Sequence, residues 1–469
     1  MLLRNTAQPQ LPGQPPGPPG STVDSTRWCN RRSGAASEPW IVPAPDVLER
    51  RRSKEWLEAR DMSGAGLTVL VTGGAGYIGS HCTVELLQAG YAVIALDNFV
   101  NSVPSAPSGS GLPPSLQRVQ LITGKELTFY ECDLLDKTRL QQIFQEHKID
   151  CVIHFAAIKA VGESMQFPLL YYKNNLIATI NLLEVMEAHN VYQLVFSSSC
   201  TVYGNPESLP ITESHPTGDV TNVYGRTKHF IEGMLKDISA ANSKWNIIAL
   251  RYFNPVGAHP TGLIGEDPTK EFTNIMPYMA QVAMGNKPHL TIFGGDYDTV
   301  DGTGVRDYIH VMDLASGHVA ALSKLHKDHQ RIRIYNLGTG KGVSVLQLLK
   351  IFEAVTDTEI PFKICSRRDG DIVSMYANAS LAEKELGWKS QFTLPQMCKD
   401  FWRWQTMNPD GYRSSVENSV SRKASQNGHT VTEHLKKNGH SDNSVPAKSS
   451  QNGHHQHTNG KIPMGNGHS

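Results

Sequence analysis

The sequence predicts an α/β protein in which a doubly wound parallel sheet is followed by a smaller, mixed α/β domain. A short apolar, β-branched run at residues 69–71 is typical of a buried parallel strand. Further apolar runs then alternate with stretches of helical period, and such alternation places helices on both faces of a parallel sheet. The apolar runs are residues 91–96, 127–134, 151–157, 193–199 and 246–254, and residues 169–188 have the helical period.

Three glycines separate the first predicted strand from the first helical stretch. They are Gly73, Gly76 and Gly79. In a dinucleotide cradle the first glycine permits a tight turn, the second lets backbone approach a pyrophosphate, and the third lets the helix pack on the strand. The N-terminus of the helix then faces the phosphate charge. The spacing therefore indicates a dinucleotide-binding unit of the Rossmann type.

Acidic and basic residues follow the next predicted strands. Asp97 lies about 20 residues after the glycines, where a carboxylate accepts hydrogen bonds from an adenosine ribose. The same carboxylate would repel a 2′-phosphate, so the sequence favours NAD over NADP. Asp133 could take the amino hydrogens of an adenine or could instead cap the next turn. Lys159 suits cofactor phosphates, although an ordinary surface lysine is the simpler interpretation without context.

Both ends of the chain are predicted to be disordered extensions. Residues 1–65 begin with a proline- and glycine-rich stretch that favours neither helix nor sheet. Residues 413–469 repeat Asn-Gly-His in a polar background and have little apolar surface to bury. Between them we expect the dinucleotide-binding domain at residues 66–255, with its sheet ending near residue 254. A second domain at residues 256–412 should cover the crevice at the carboxyl ends of the strands.

Charge, cysteine usage and hydropathy argue against several classes of protein. Lys+Arg and Asp+Glu both number 44, so neither nucleic acid nor an anionic membrane is an expected partner. The 7 cysteines form no CxxC pair, which favours reduced thiols over a disulfide framework or a metal site. No run approaches the roughly 18 apolar residues of a membrane span, and the N-terminus lacks the apolar core of a secretory signal. We therefore expect a cytoplasmic protein without a bound metal.

A serine, a tyrosine and a lysine could carry chemistry. Ser199 ends a predicted strand at the mouth of the crevice, and Tyr224 and Lys228 are spaced so that a helix would place them on one face. Lowering the pKa of a tyrosine from about 10 to about 7 takes roughly 4 kcal/mol. An ammonium about 6 Å away supplies about 2.8 kcal/mol at an effective dielectric of about 20. Tyr224 can therefore act as a base only when Lys228 and an oxidised nicotinamide are both in place.

The chain resembles the extended short-chain dehydrogenase/reductase superfamily over residues 67–412. The matching segments are residues 71–81, 160–164, 251–255, 302–311 and 335–338. Within that superfamily it resembles the branch that interconverts UDP-glucose and UDP-galactose in galactose metabolism, with NAD as cofactor and a transient 4-keto sugar. The resemblance makes Tyr224 the base, and has Ser199 hydrogen-bond the reacting hydroxyl. It also implies a homodimer formed by paired helices, one of which carries Tyr224 and Lys228.

The resemblance further implies two sets of ligand contacts. Cofactor contacts are expected at Gly73, Gly76, Tyr77, Ile78, Gly79, Asp97, Asn98, Phe99, Val100, Asn101, Asp133, Leu134, Phe155, Lys159, Lys228 and Tyr252. UDP-sugar contacts are expected at Ser199, Cys200, Thr201, Tyr252, Phe253, Asn254, Asn274, Ile275, Met276, Thr291, Ile292, Phe293, Arg306, Arg368, Asp369, Gly370 and Asp371. For the apolar members of both sets, packing in the core is a competing interpretation.

Three positions bear on substrate binding and choice. Arg306 and Arg368 also suit a diphosphate on chemical grounds, because guanidinium groups are planar, bidentate donors. Met375 stands where, by the resemblance, bulk limits the group at C2 of the sugar. Methionine is intermediate in size and flexible, so the sequence leaves acceptance of N-acetylhexosamines open.

Three alternative functions remain open. The first is a nucleotide-sugar 4,6-dehydratase or decarboxylase of the same fold. The dehydratase pattern has an Asp-Glu pair directly after the residue aligned with Ser199, whereas this chain has Cys200 and Thr201 there. The second is a non-catalytic NAD-binding scaffold, which would have little use for the serine, tyrosine and lysine together. The third is a sugar dehydrogenase, which predicts net accumulation of NADH.

Overall fold

A parallel sheet organises the part of the chain that the structure describes. The structure is a computed structural model and describes residues 66–105, 111–268, 274–368 and 370–413. Within these ranges, seven strands form one sheet whose neighbouring strands are all parallel. In order across the sheet they are β11 (Ile332–Leu337), β6 (Asn246–Tyr252), β5 (Gln193–Ser199), β4 (Cys151–His154), β1 (Thr68–Thr72), β2 (Ala92–Asp97) and β3 (Thr128–Glu131). The predicted terminal extensions, residues 1–65 and 413–469, lie outside the described residues except for Arg413, which ends the short 3₁₀ turn Gly411–Arg413.

The strand order reverses between β1 and β4, which are neighbours although two strands lie between them in the chain. A crevice forms at such a switch point, outside the carboxyl ends of the strands, and ligands of open α/β sheets bind there. Alternate residues of β1 pack into the two separate cores on the two faces of the sheet: Val69 and Val71 into one, Leu70 into the other. Burial of both faces explains the continuous apolar runs in the sequence.

Helices cover both faces of the sheet. In its first half they are α1 (Tyr77–Gln88), α2 (Pro114–Thr123), α3 (Lys137–Glu146), α4 (Val161–Gln166), α5 (Pro168–Tyr171), α6 (Ala178–Ala188) and α7 (Val223–Ala241). A π-helical stretch, Tyr172–Ile177, joins α5 to α6. The periodicity at residues 169–188 therefore correctly predicts a helical segment, although it does not reveal the π-helical stretch.

The prediction that the sheet ends near residue 254 was wrong. After helix α9 (Val311–Lys327), which packs against α1, the chain returns to the sheet as β11 and pairs with β6 from Ile332 to Leu337. All seven residues of β6 are buried, and they could not be if β6 lay at an uncovered edge. The predicted domain boundary at residue 255 stays a prediction.

The remaining elements build small sheets and helices beside the crevice. The short strands are β7 (Asn254–Val256) with β10 (Tyr308–His310), β8 (Leu290–Phe293) with β13 (Phe362–Cys365), and β9 (Val305–Arg306) with β12 (Val343–Ser344) and β14 (Ser374–Met375). The helices are α8 (Ile275–Ala283), α10 (Val345–Thr356), α11 (Ser380–Leu386) and α12 (Leu394–Met407). Among all described residues, no helix is long and apolar enough to cross a membrane.

Candidate active site

The glycine loop lies between β1 and α1, at the switch point of the sheet. Gly73 has a φ of +71°, and a Cβ there would lie 2.9 Å from the backbone nitrogen of Ala156. A Cβ at Gly79 would lie 2.1 Å from the carbonyl oxygen of Gly73, so only glycine lets the helix approach the turn this closely. Gly76 is the N-cap of α1 and has no side chain to cover the first turn. The loop therefore fits a pyrophosphate at the helix N-terminus.

Gly79→Ala is expected to disrupt this loop. The added methyl group would overlap backbone, which cannot move aside as a side chain can, so the loop must shift. We expect the purified variant to carry less than a tenth of the wild-type NAD, measured by absorbance and enzymatic assay after denaturation. Gly162→Ala is the matched control, because a Cβ there meets nothing within 4 Å. Normal NAD content in Gly79→Ala would contradict the assignment of the loop.

Asp97 closes β2 beside the glycine loop, as the sequence predicts. Its Oδ2 accepts a hydrogen bond from the backbone of Ala75 at 3.0 Å. Its Oδ1 accepts from the Phe99 backbone at 2.9 Å and from Ser102 Oγ at 2.8 Å. Burial raises the pKa of Asp97, and these hydrogen bonds oppose the increase. The carboxylate thus fixes the glycine loop to the loop after β2, where the predicted contacts Asn98, Phe99, Val100 and Asn101 lie.

Asp133 has the turn-capping role that the sequence left open. Its Oδ1 accepts a hydrogen bond from the backbone of Leu135 at 2.8 Å. Its Oδ2 accepts from Asn98 Nδ2 at 3.1 Å, so two predicted cofactor contacts meet at this edge. A contact with adenine stays a prediction.

Ser199, Tyr224 and Lys228 come together at the carboxyl end of β5. Helix α7 begins one residue before Tyr224 and is capped by Asn222, whose Oδ1 accepts from Gly225 N at 2.8 Å. Tyr224 and Lys228 therefore share a face of one helix, as their spacing predicts. The Ser199 hydroxyl, at the end of β5, lies close enough to the Tyr224 phenol to lower its pKa. Lys228 Nζ lies 6.0 Å from the centre of the Tyr224 ring.

Burial dominates the electrostatics of this cluster. It lowers the pKa of Lys228 to about 7, while the ammonium donates to the Ser197 carbonyl at 2.6 Å. It raises the pKa of Tyr224 to about 12, and the nearby Ser199 hydroxyl opposes this increase. The sequence-based expectation that Lys228 lowers the pKa of Tyr224 is not met by the protein alone. Loss of the phenol proton near neutral pH therefore requires a further positive charge beside it.

Tyr252 and His318 form a pair on the same side of the sheet. His318 Nδ1 lies 2.8 Å from the carbonyl of Leu314 and must donate to it. Its Nε2 is then an acceptor, and the Tyr252 hydroxyl donates to it at 2.5 Å. Burial keeps the imidazole neutral by lowering its pKa to about 4. The ring of Phe155, another predicted cofactor contact, lies 4.8 Å from His318. The sequence did not predict this contact, because a single histidine in a helix matches no motif.

Several predicted contacts have side chains that are engaged elsewhere. The hydroxyl of Tyr77 donates to the carbonyl of Gly257 at 2.7 Å, so only its backbone and ring remain for a cofactor. Met276 and Ile292 are buried in the main core, where packing accounts for them. Ile78 packs against the same core. For Met276, Ile292 and Ile78, core packing thus remains the competing interpretation given by the sequence.

Three residues predicted to contact the UDP-sugar lie together, because the carboxylate of one of them, Asp371, contacts the guanidinium groups of the other two. Asp371 accepts from Arg306 Nη2 at 2.7 Å and lies 3.5 Å from Arg368 Nη2. The Arg368 guanidinium lies 4.8 Å from the centre of the Phe293 ring. Two guanidinium groups at one place suit a diphosphate. Asp369 lies outside the described residues.

An apolar cluster lies between this region and Ser199. Cys200, Phe253 and Met375 pack together in it and are all buried. Burial raises the pKa of the Cys200 thiol to about 12, and the charge of Arg306 opposes the increase. Met375 thus contacts residues directly beside the proposed reaction centre.

Glu266 joins two predicted ligand contacts, and sequence reasoning did not identify it. Its Oε1 lies 3.2 Å from Lys159 Nζ and accepts from Asn274 Nδ2 at 2.7 Å. One carboxylate therefore joins a predicted cofactor contact to a predicted substrate contact. No motif surrounds Glu266 in the sequence, and only the fold brings it to Lys159.

Comparison with known proteins agrees with this geometry. The sequence model of the NAD dependent epimerase/dehydratase family matches residues 69–338. Human UDP-glucose 4-epimerase is 56% identical over 344 residues, which cover 73% of this chain and 98% of the relative. The Bacillus subtilis strain 168 enzyme of the same name is 53% identical over 349 residues, which cover 74% of this chain and 100% of the relative.

Solved structures give the same result. UDP-glucose 4-epimerase from Bifidobacterium longum, in complex with NAD+ and UDP, superposes with a TM-score of 0.69 at 52% identity. The superposition covers 73% of this chain and 99% of that chain. Sequence and fold agree over at least 98% of the length of these relatives, and this chain therefore belongs to the NAD dependent epimerase/dehydratase family.

Proposed function

We propose that this chain interconverts UDP-glucose and UDP-galactose at C4 of the sugar, with NAD as its cofactor. The observation that carries the proposal is the meeting of Ser199, Tyr224 and Lys228 at the carboxyl end of β5. The glycine loop lies two strands away along the same edge of the sheet. Further support comes from relatives at 52–57% identity that are named UDP-glucose 4-epimerase.

The residues of the crevice fit NAD. Residues 73–79 would hold its pyrophosphate and Asp97 its adenosine ribose, while Asp133 and Lys159 lie along the same edge. When bound, NAD supplies hydride acceptance and return at C4, through a transient 4-keto sugar, and its oxidised ring carries a positive charge.

Tyr224 is the proposed base. With a positive charge beside it, the phenol loses its proton and can take the proton of the 4-hydroxyl. Ser199 hydrogen-bonds the same hydroxyl and passes its proton towards Tyr224. Lys228 holds its ammonium 6.0 Å from the ring and keeps the phenolate paired with a cation. The proton returns from Tyr224 to the sugar oxygen after the sugar has turned.

The nucleotide provides most of the proposed binding energy. The sugar must rotate between the two half-reactions, so strong contacts to the hexose would oppose turnover. Arg306 and Arg368 can hold the diphosphate from one place while the hexose turns. The charge pairing of Asp371 with both arginines keeps their guanidinium groups in position.

The residues after Ser199 disfavour the dehydratase alternative. A dehydratase needs an acid to protonate the leaving hydroxyl. Cys200 follows Ser199 here, and burial raises the pKa of its thiol to about 12, so it is a poor proton donor. Thr201 donates its hydroxyl to Ser199 Oγ at 3.0 Å and is not an acid.

One incubation separates these functions. Purified protein is mixed with UDP-galactose without added oxidant, and the products are followed by NMR while NADH is followed by absorbance. We expect UDP-glucose to appear until equilibrium is reached, with no net NADH. A 6-deoxy-4-keto product would show a dehydratase, and accumulating NADH a dehydrogenase. Absence of turnover by protein that retains NAD would favour a scaffold.

We also propose a homodimer formed through α5, the π-helical stretch and α7. Leu169 and Leu170 on α5 are exposed in the single chain, and so is Phe230 on α7, which stacks on Tyr172. A contiguous apolar patch of this kind marks an interaction surface. Two copies related by a twofold axis would bury the patch of each against the other.

Leu169→Glu is expected to break this dimer. The leucine is 79% exposed in the single chain, so glutamate costs the monomer little, but in the dimer its charge would be buried. We expect light scattering to give the mass of a monomer, against twice that mass for wild type. Val300→Glu is the matched control, since Val300 is also 79% exposed and lies far from the patch in sequence. A dimeric Leu169→Glu variant would contradict the proposed interface.

We propose a cytoplasmic location as well. Cys82, Cys132, Cys151, Cys200, Cys365 and Cys398 are free thiols in the structure, which supports a reducing compartment.

A further inference from the structure

A buried network joins the elements that carry Ser199, Tyr224 and Lys228. Glu232 on α7 makes two bonds to Arg251 on β6, at 2.6 Å from Nη2 to Oε2 and at 2.9 Å from Nε to Oε1. Ser198 on β5 donates to Glu232 Oε1 at 2.6 Å. One carboxylate therefore links a helix to two adjacent strands of the sheet.

This network is shielded from solvent. The side chains of Arg251 and Glu232 are 2% and 1% exposed. The Arg251 guanidinium lies 4.6 Å from the centre of the Tyr203 ring, and the Tyr203 hydroxyl donates to Asn336 Oδ1 at 2.6 Å. Tyr203 belongs to the 3₁₀ turn Cys200–Tyr203, which begins directly after Ser199. Members of the network therefore lie on both sides of Ser199 in the chain, with Ser198 before it and Tyr203 after it.

A contribution to stability does not by itself explain why this ion pair is buried. Desolvation of two buried charges offsets much of their attraction, and an apolar pair of the same volume is often as stable. A bidentate guanidinium–carboxylate pair does, however, fix the relative position of its partners. What is fixed here is the spacing between helix α7 and the ends of β5 and β6.

The fixed atoms lie next to the reacting groups. Ser198 directly precedes Ser199, and Glu232 lies one helical turn after Lys228 and two after Tyr224, on the same face of α7. We propose that Glu232, held by Arg251, is a positioning residue that sets the distance between Ser199 and Tyr224 through its hydrogen bond to Ser198. The inference rests on the proposed epimerisation, in which the two hydroxyls share one sugar oxygen.

Ser198→Ala tests the proposal with the least disturbance. It removes the bond between β5 and Glu232 but leaves the ion pair with Arg251 intact. We expect kcat for UDP-galactose to fall about tenfold, because a small displacement of a reacting group is costly. The KM and the amount of retained NAD should stay at wild-type values. A fall in NAD content together with kcat would indicate a merely structural role and overturn the proposal.

The pH dependence of kcat provides a second readout. The nearby Ser199 hydroxyl lowers the pKa of Tyr224, so a displaced Ser199 should move the acid limb of the profile to higher pH. The other titratable groups that face the phenol are Lys228 on the same helix, Cys200 after β5, Tyr171 on α5 and Tyr252 on β6. Ser198→Ala leaves all of them in place, and an unchanged acid limb would overturn the proposal.

Two further proteins complete the experiment. Asp237→Asn changes an exposed carboxylate on the same helix and should retain the wild-type kcat and profile. Wild-type protein is assayed first: if it fails to produce UDP-glucose, the proposed function fails, independently of Ser198. If wild type is active and Ser198→Ala is equally active, only the positioning role is refuted.

Discussion

Tyr224→Phe is expected to abolish epimerisation while leaving NAD and UDP bound. Phenylalanine fills the same space at the start of α7, so the fold and the neighbouring Ser199 should be undisturbed. The variant lacks the oxygen that takes the sugar proton, and loss of a general base typically lowers a rate by about 10²- to 10⁴-fold. We expect a loss of at least about 10³-fold in kcat, measured as conversion of UDP-galactose to UDP-glucose.

A tyrosine outside the site controls for the loss of a hydroxyl as such. Tyr130 lies on β3, at the other end of the sheet, and its hydroxyl bonds Glu146 and His147. Tyr130→Phe should retain the wild-type kcat. NAD content must be measured in both variants, because an empty Tyr224→Phe protein would be inactive for another reason. A wild-type rate from NAD-loaded Tyr224→Phe would remove Tyr224 as the base.

The sequence could predict those parts of the fold that local pattern determines. Strand β5 was predicted at residues 193–199 and spans Gln193–Ser199, because a strand buried on both faces is a continuous apolar run. The glycine loop was predictable because its conformation requires residues without a Cβ atom, and the sequence shows directly where the glycines are. The shared face of Tyr224 and Lys228 needed only the period of a helix.

Pairing between distant segments was out of reach of the same reasoning. Strand β11 pairs with β6 across about 80 residues, and local sequence does not identify which strand is the neighbour of another. The same limit applies to the site. Glu232 and His318 are single residues in amphipathic helices, and their partners Arg251 and Tyr252 lie on another element.

The pKa of Lys228 was likewise not predictable from its spacing. Coulomb's law with a surface-like dielectric treats the lysine as charged, and this assumption gave the expected effect on Tyr224. The structure instead buries the ammonium between Phe196 and Tyr224, at 4.9 and 6.0 Å from the ring centres. Burial disfavours the charged form, and the amount of burial is a property of the whole fold.

Lys228→Met is therefore expected to be inactive and yet more stable at acidic pH. The variant loses the cation beside Tyr224, which should cost at least about 10²-fold in kcat. For stability, burial lowers the pKa of Lys228 from 10.5 to about 7. Between these values the unfolded chain holds a proton that the folded chain has released, so the wild-type free energy of unfolding rises with pH. Methionine has no proton to exchange and lacks this slope.

The difference in the free energy of unfolding between Lys228→Met and wild type isolates the contribution of the lysine. The stability advantage of Lys228→Met should fall by about 2 to 3 kcal/mol from pH 6 to pH 9, measured by denaturant unfolding after removal of NAD. Lys228→Met lacks the hydrogen bond to Ser197 at both pH values. Most of the effect of this loss therefore cancels when the stability advantage at pH 6 is compared with that at pH 9. Lys236→Met changes an exposed lysine on the same helix and should show no such trend. If the advantage of Lys228→Met were equal at pH 6 and pH 9, the lysine would be an ordinary ammonium in the folded protein, always charged, and its action on Tyr224 would not depend on burial.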